Sequence, residues 1–265
     1  MAVESFAATP AGPFTVARRP QMQQEAALPF LSVVVPTYNE AANIGPFLQA
    51  LKAGLESVPS RGYEVIVVDD ESPDGTGEVA TAISIGWPNM RVVRRAGERG
   101  LASAVVRGWQ IASGDVLATI NADFQHPPSI LPDMLLKIEN ADLVVATRYA
   151  AEGSVGRFPR HRQVLSASAR CVGTFLVPKV FRRVTDPLSG CYMLRRRAIE
   201  DIELRPTGFK TLIEILARGR VENVVEHGYS MQKRRSGRSK MRLRHWIEYL
   251  GQLRRIRRDL QRRRA

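Results

Sequence analysis

A chain of 265 residues with 44% hydrophobic and 25% charged content carries enough apolar material for one buried α/β domain and a tail, which excludes wholesale disorder. The net charge is +13, and from Gln232 onward fourteen Lys or Arg stand against Glu248 and Asp259, so the excess is C-terminal and selects polyanionic partners: nucleic acid, an anionic membrane surface or a phosphorylated substrate. Cys171 and Cys191 form no CxxC pair, no apolar run approaches the ~18 residues of a spanning helix, and residues 1–28 lack a secretory pattern, which places the chain in the cytoplasm, at most on the surface of a membrane.

Residues 1–28, with Pro10, Pro13 and Pro20 and neither strand nor helix period, are expected to be a disordered leader. Organisation begins at Leu31–Val35, a β-branched run that Pro36 is expected to stop. A helix capped by Asn39 follows over residues 40–57, with Ile44, Phe47, Leu48 and Leu51 at helical spacing. Glu64–Val68 is a second buried strand, and Asp74-Gly75 opens another helix. Strand Arg91–Arg94, a glycine loop at Gly97–Gly100, a helix over Leu101–Ala112, strand Val116–Ile120, a helix around Ile130–Glu139 and strand Asp142–Ala146 continue the alternation. Strands alternating with helices predict a three-layer α/β/α sandwich on a mainly parallel sheet, with ligands at the carboxyl ends of the strands.

Four predicted strand ends carry clustered polar residues: Pro36-Thr37-Tyr38-Asn39-Glu40, Asp69-Asp70-Glu71-Ser72-Pro73-Asp74-Gly75-Thr76, Asn121-Ala122-Asp123-Phe124-Gln125-His126-Pro127-Pro128, and Thr147-Arg148-Tyr149. Singly each reads as a cap or a turn; together they resemble the motifs of family 2 glycosyltransferases. Asp186-Pro187-Leu188-Ser189-Gly190, Gly208-Phe209-Lys210 and Arg234-x-x-Gly237-x-Ser239-Lys240 are similar to the dolichyl-phosphate or polyprenyl-phosphate mannosyltransferase branch. The resemblance covers about residues 31–241, taken as one catalytic domain from residue 29 to 241.

The resemblance implies a Rossmann-like GT-A fold and an inverting glycosyltransferase. It would move a sugar, mannose from GDP-mannose in the leading reading, onto a polyprenyl (dolichyl) phosphate. Carried over position by position, it puts Pro36, Tyr38, Glu40, Val68 and Asp70 at the nucleotide base and ribose, with Asn121, Ala122 and Asp123 also on the donor. It puts Arg234 and Lys240 over the donor diphosphate, and Arg148 and Arg162 at the acceptor phosphate. Asp123, Arg148, Arg234 and Lys240 are then the catalytic set. Asp123, Gln125 and Asn121 are the implied oxygen ligands of Mg²⁺ or Mn²⁺, a cation that takes its other ligands from phosphate and water. The D-x-D of the family stands here as N-x-D. Asn121 removes a negative charge, so weaker metal affinity and a preference for Mn²⁺ are expected. His126 is read as packing within its turn. A phosphate monoester has its second pKa near ~6, so the acceptor is already a nucleophile at neutral pH and needs no strong general base.

Residues 242–265 are expected to form a basic amphipathic helix, with Leu243, Trp246, Ile247, Leu250, Leu253, Ile256 and Leu260 along one side. That stripe suits either lipid headgroups on the cytoplasmic face of a membrane or docking on the parent domain or a partner helix. This tail, or a separate membrane protein, would bring the enzyme to its lipid. Two alternatives keep the fold: a UDP-hexose (glucose) polyprenyl-phosphate transferase, and a catalytically impaired donor-binding homologue. Nucleic-acid binding is set aside because the tail interleaves few aromatics with its charges and no nucleic-acid module is present.

Overall fold

The computed structural model describes residues 12–18, 31–56, 62–150, 152–154, 156, 160–236 and 243–262. In chain order the elements are β1 (Phe14–Thr15), β2 (Leu31–Thr37), α1 (Ala41–Glu56), β3 (Tyr63–Asp69), α2 (Thr76–Ser84), β4 (Met90–Arg94), α3 (Leu101–Ile111), β5 (Val116–Thr119), α4 (Leu131–Lys137), β6 (Leu143–Thr147), α5 (Arg160–Leu176), α6 (Pro178–Phe181), β7 (Tyr192–Arg195), β8 (Glu203–Leu204), α7 (Thr211–Arg218), β9 (Val224–Gly228) and α8 (Leu243–Arg262).

Seven strands form one sheet in the order β4-β3-β2-β5-β7-β6-β9. Every neighbouring pair is parallel except those of β7, which runs antiparallel to both β5 and β6. Because side chains alternate across a pleated strand, the β-branched runs serve both faces. Val33, Val35, Val65 and Val67 pack with Phe47, Leu48 and Met134 on the side of α1 and α4. Val34, Ile66 and Val68 pack with Trp109, Phe181, Leu212 and Leu253 on the side of α3 and α6–α8. The result is the three-layer sandwich expected, with the strand ends that bear the polar turns gathered along one edge.

The structure departs from sequence expectation in several places. β2 does not stop at Pro36 but runs on, pairing Pro36 with Val68 and Thr37 with Asp69 on β3. On its other side, pairing with β5 ends at Val34–Thr119, where Ile120 N donates to Val34 O. Pro36, two residues further on, turns the same way as Val34, past the end of β5, so its missing N–H breaks no ladder bond. The leader is ordered in part: Phe14 and Thr15 pair antiparallel with Leu204 and Glu203, and Val16 is fully buried. A strand of two residues is too short to leave any period in the sequence. The amide of Ala41 that opens α1 donates to Asp74 Oδ2 (3.0 Å), a cap supplied by the following strand's loop, while Asn39 itself takes a positive φ of 53°.

Of the two readings of the tail stripe, docking on the parent domain is what the packing shows. Tyr249, Gln252, Leu253 and Ile256 are buried, and Tyr249 Oη donates to Ala169 O of α5 (2.7 Å). Arg218 of α7 bridges Glu214 of its own helix and Asp259 of α8, and Arg255 donates to Thr207 Oγ1 (3.3 Å). Ile247, placed on the stripe by spacing, is 66% exposed; Tyr249 and Gln252, outside that list, lie on the buried face. Among the described residues no helix is long and apolar enough to cross a membrane.

Candidate active site

The parallel register brings the ends of β2, β3, β5, β6 and β9 to the same edge, and the segment entering antiparallel β7 returns there. Among the described residues, three of the four non-glycine residues with positive φ, Asn39, Glu71 and Phe124, sit in these turns. Strained backbone of this kind persists where the surrounding contacts over-determine it. Phe124 is held edge-on against Phe47, with ring centroids 5.4 Å apart.

At the β3 end the two carboxylates divide their work. Asp69 accepts from Thr37 Oγ1 (2.9 Å), Ser72 Oγ (2.6 Å) and Ser72 N (2.9 Å), which fixes the turn. Asp70 accepts from Arg95 Nε (2.8 Å) and from Gly100 N (2.8 Å), and Arg95 is completely buried. Burial pushes the Asp70 carboxyl above its ordinary value, against the pull of Arg95. Val68 is buried in the core and Pro36 in the strand. Tyr38 and Glu40 are only half-buried, and the Arg99 guanidinium lies over the Tyr38 ring at 5.1 Å.

The turn after β5 meets the loop after β9. Arg234 reaches Asp123 Oδ2 with Nη2 (2.7 Å) and Glu40 Oε1 with Nη1 (3.4 Å). Asn43 ties the same loop down by donating to both Glu40 Oε2 (2.6 Å) and Ser236 O (3.3 Å), and Gln232 N donates to Gln125 O (3.2 Å). The structure therefore joins three of the predicted donor residues, Glu40, Asp123 and Arg234, in one ionic bridge.

Beside this bridge lies a cavity of about 190 Å³. Its lining includes Asn121, Gln125 and His126 of the β5 turn, the charged Arg148, Asp186 and Lys210, and the apolar Leu165, Phe209 and Trp246, with Phe209 packed against α8, to which Trp246 belongs. Arg148 grips Asp186 with Nε (2.9 Å) and Nη2 (3.3 Å). A Cβ at Gly190 would come 2.6 Å from Asn121 Nδ2, so a larger residue there would displace the Asn121 amide. His126 packs on Tyr229 (4.8 Å between centroids), and burial, with the charges of Arg148 and Lys210, drives its pKa down to about 3, so it is neutral. Lys210 is pulled down to about 8, first by burial of its ammonium.

Asp186 and Lys210 entered the sequence reading only as letters of a motif, without a role. Their signal was Asp-Pro-Leu-Ser-Gly and Gly-Phe-Lys, but nothing in the spacing says that two segments so far apart meet Arg148. Ala122 is buried in the turn after β5. Arg162 falls within α5, but its side chain, like the whole of Lys240, lies outside the described residues.

As for a cation, the donors offered are all oxygens: the Asp123 carboxylate and the amides of Asn121 and Gln125. Among the described residues no group of three His, Cys, Asp or Glu could hold a metal unaided. A single carboxylate with neutral carbonyls fits an oxygen-loving divalent ion that a diphosphate brings with it and keeps partly coordinated.

The family model for glycosyl transferase family 2 matches residues 32–203, and the chain belongs to that family. It is 40% identical to the dolichol-phosphate mannosyltransferase of Pyrococcus furiosus, over 85% of this chain and 63% of that protein, so it spans less than two thirds of that relative's length. The dolichol-phosphate mannosyltransferase of Saccharomyces cerevisiae is 32% identical over 85% of this chain and 86% of its own. These relatives put the chain in the dolichol-phosphate mannosyltransferase branch. The fold is shared with a crystal structure of glucosyl-3-phosphoglycerate synthase from Mycobacterium tuberculosis in complex with Mn²⁺, UDP and glucosyl-3-phosphoglycerate, at TM-score 0.59 and 24% identity, covering 92% of this chain and 84% of that one.

Proposed function

We propose that the protein transfers mannose from GDP-mannose to a polyprenyl phosphate with inversion at the anomeric carbon. The observation that carries this reading is one cavity lined together by the Asn121–His126 turn, by Arg148 and Lys210, and by apolar residues of α5 and α8. Such a lining offers polar groups for the donor, cations for a phosphate and apolar surface for a chain. The relatives named above supply the sugar and the lipid class.

The chemistry needs little from the protein beyond placement and charge. An acceptor phosphate oxygen attacks the anomeric carbon, a C–O bond forms on the face opposite the leaving group, and the nucleoside diphosphate departs with the electron pair of the old bond. No proton has to be removed, which suits a site whose histidine is neutral and buried. Asp123, Gln125 and Asn121 would hold a divalent ion that neutralises charge on the departing diphosphate. Arg234 would exchange its carboxylates for that diphosphate, with Lys240 beside it, and Arg148 and Arg162 would face the acceptor. Tyr38 and Glu40 flank the nucleoside end, whereas Asp70 and Val68 shape it from behind.

Membrane association belongs to the same proposal, although the buried face of α8 is already spent on the domain. Contact with lipid falls to the outward side: Ile247, Arg254, Arg257 and Arg258 of α8, with the exposed Val164, Leu165 and Phe175 of α5. Basic residues set around scattered apolar ones suit the anionic cytoplasmic leaflet.

The test is a donor panel, GDP-mannose and UDP-glucose among it, against a short-chain polyprenyl phosphate with the product weighed by mass spectrometry. Mannosyl-phosphoprenol from GDP-mannose is expected. Donor binding with no nucleoside diphosphate released for any acceptor would sink the proposal.

A further inference from the structure

Lys210 precedes α7 and is the least expected charge in the cavity. The residue is half-buried, yet its ammonium is enclosed, lies 5.0 Å over the Phe209 ring and donates to the backbone oxygen of Leu188, a neutral partner. Among the described residues the one carboxylate that lines the cavity, Asp186, is gripped by Arg148 at 2.9 Å and 3.3 Å. Asp123, at the neighbouring turn, is bridged by Arg234. Two basic side chains, Arg148 and Lys210, thus stand in the cavity with the carboxylate of Asp186, and Arg148 holds that carboxylate. A buried ammonium beside a neutral carbonyl is costly to maintain, and an arriving anion relieves that cost.

The setting of Lys210 also limits which anion it can meet. Its own carbonyl accepts from Gln252 Nε2 of α8 (3.1 Å), and Phe209 packs against His245 and Tyr249 of the same helix, with centroids 6.0 Å and 6.4 Å away. Lys210 is thus tied to α8, the helix that also brings Trp246 to the cavity. An anion that reaches it shares the cavity with Trp246, Phe209 and Leu165, apolar neighbours that the hydrocarbon chain of a phosphate monoester would cover.

We propose that Lys210 is an acceptor-binding residue whose ammonium receives the phosphate monoester opposite Arg148, while α8, through Gln252 and Tyr249, positions it. This rests on the lipid-phosphate reading above and adds to it a residue and a role for the tail helix. The depressed pKa of Lys210 agrees with a group awaiting a counter-charge.

The test is calorimetric binding of farnesyl phosphate, farnesol and GDP to the full-length wild type, Lys210→Met and Lys210→Arg. Wild type is expected to bind farnesyl phosphate, and Lys210→Met to weaken that binding at least tenfold while GDP stays within twofold. Lys210→Arg should restore much of the affinity and move the alkaline limb of the binding–pH curve upward, a shift that a purely structural lysine would not produce. Should Lys210→Met prove unfolded by thermal melt, Lys210→Gln takes its place. Farnesyl phosphate bound within twofold by the folded neutral variant, or farnesyl phosphate and GDP lost together, overturns the assignment. A wild type that binds GDP but no farnesyl phosphate overturns the acceptor reading itself and the assignment with it.

Discussion

Arg234 occupies the carboxylate that a donor-borne cation would use, so metal and arginine should compete for Asp123. The contact at 2.7 Å is a charge-assisted hydrogen bond, and the arginine side chain is 19% exposed. Hydrogen bonds to charged groups contribute about 1.5–3 kcal/mol, and partial solvent access argues for the lower end. About 1.4 kcal/mol corresponds to a tenfold change in an equilibrium constant. Arg234→Ala should therefore tighten Mn²⁺ binding to the donor-free protein about tenfold, read from the free Mn²⁺ signal in electron paramagnetic resonance. With GDP present the order should reverse, because the variant has lost a cation that the diphosphate would otherwise meet. Equal Mn²⁺ affinity in wild type and variant without nucleotide would refute the competition, since Arg234 would then hold nothing the metal needs.

Asp70→Asn should be mainly a stability defect. It leaves the fully buried Arg95 with Glu98 as its remaining carboxylate partner, a loss of about 3 kcal/mol in urea unfolding, at the lower end for a broken buried pair; a change below about 0.5 kcal/mol would contradict this. Asn121→Asp restores a negative charge beside Asp123 and should lower the half-saturating Mg²⁺ concentration for turnover, whereas an unchanged value would show that Asn121 is not a ligand. The hydrogen bond from Arg218 holds the Asp259 carboxyl below its ordinary value of 3.8. A depressed carboxylate contributes stability that is present above the unfolded value and is lost as pH falls through the folded one, so α8 should loosen below about pH 4. Trp246 fluorescence should report this in acid titration, and Asp259→Asn should remove that component; an identical acid transition in the variant would count against it. Glu214, whose carboxyl burial pushes upward, titrates with the opposite sign and is present in both proteins.

Much of this architecture was legible because buried parallel strands write themselves as β-branched runs, and Leu31–Val35, Glu64–Val68 and Val116–Ile120 are such runs. The turn motifs were legible as well, since strand ends need unusual residues to aim polar groups. Harder to read was β7: four residues long, with its partners fixed by long-range register, it carries no local mark of running against its neighbours. The Arg148–Asp186 pair and Lys210 were hidden for a related reason, as the sequence separation of 38 between the paired groups is closed only by tertiary packing. In the tail, counting apolar residues picked Ile247 and passed over Gln252 and Asp259, whose polar contacts hold the helix in place. Asp70 shows the converse difficulty, because a residue singled out by its motif has its carboxylate committed to an interior arginine.

If α8 brings the protein to lipid as proposed, its docking would join address to competence. A helix that merely tethered the domain could be exchanged for any other anchor, but this one lines the cavity with Trp246 and Tyr249 and donates through Gln252 to the carbonyl of Lys210. Transplanting the catalytic domain onto a foreign anchor at residue 241 would deliver it to a bilayer with its chamber unroofed. Engineering that retargets this transferase has to carry its last helix along.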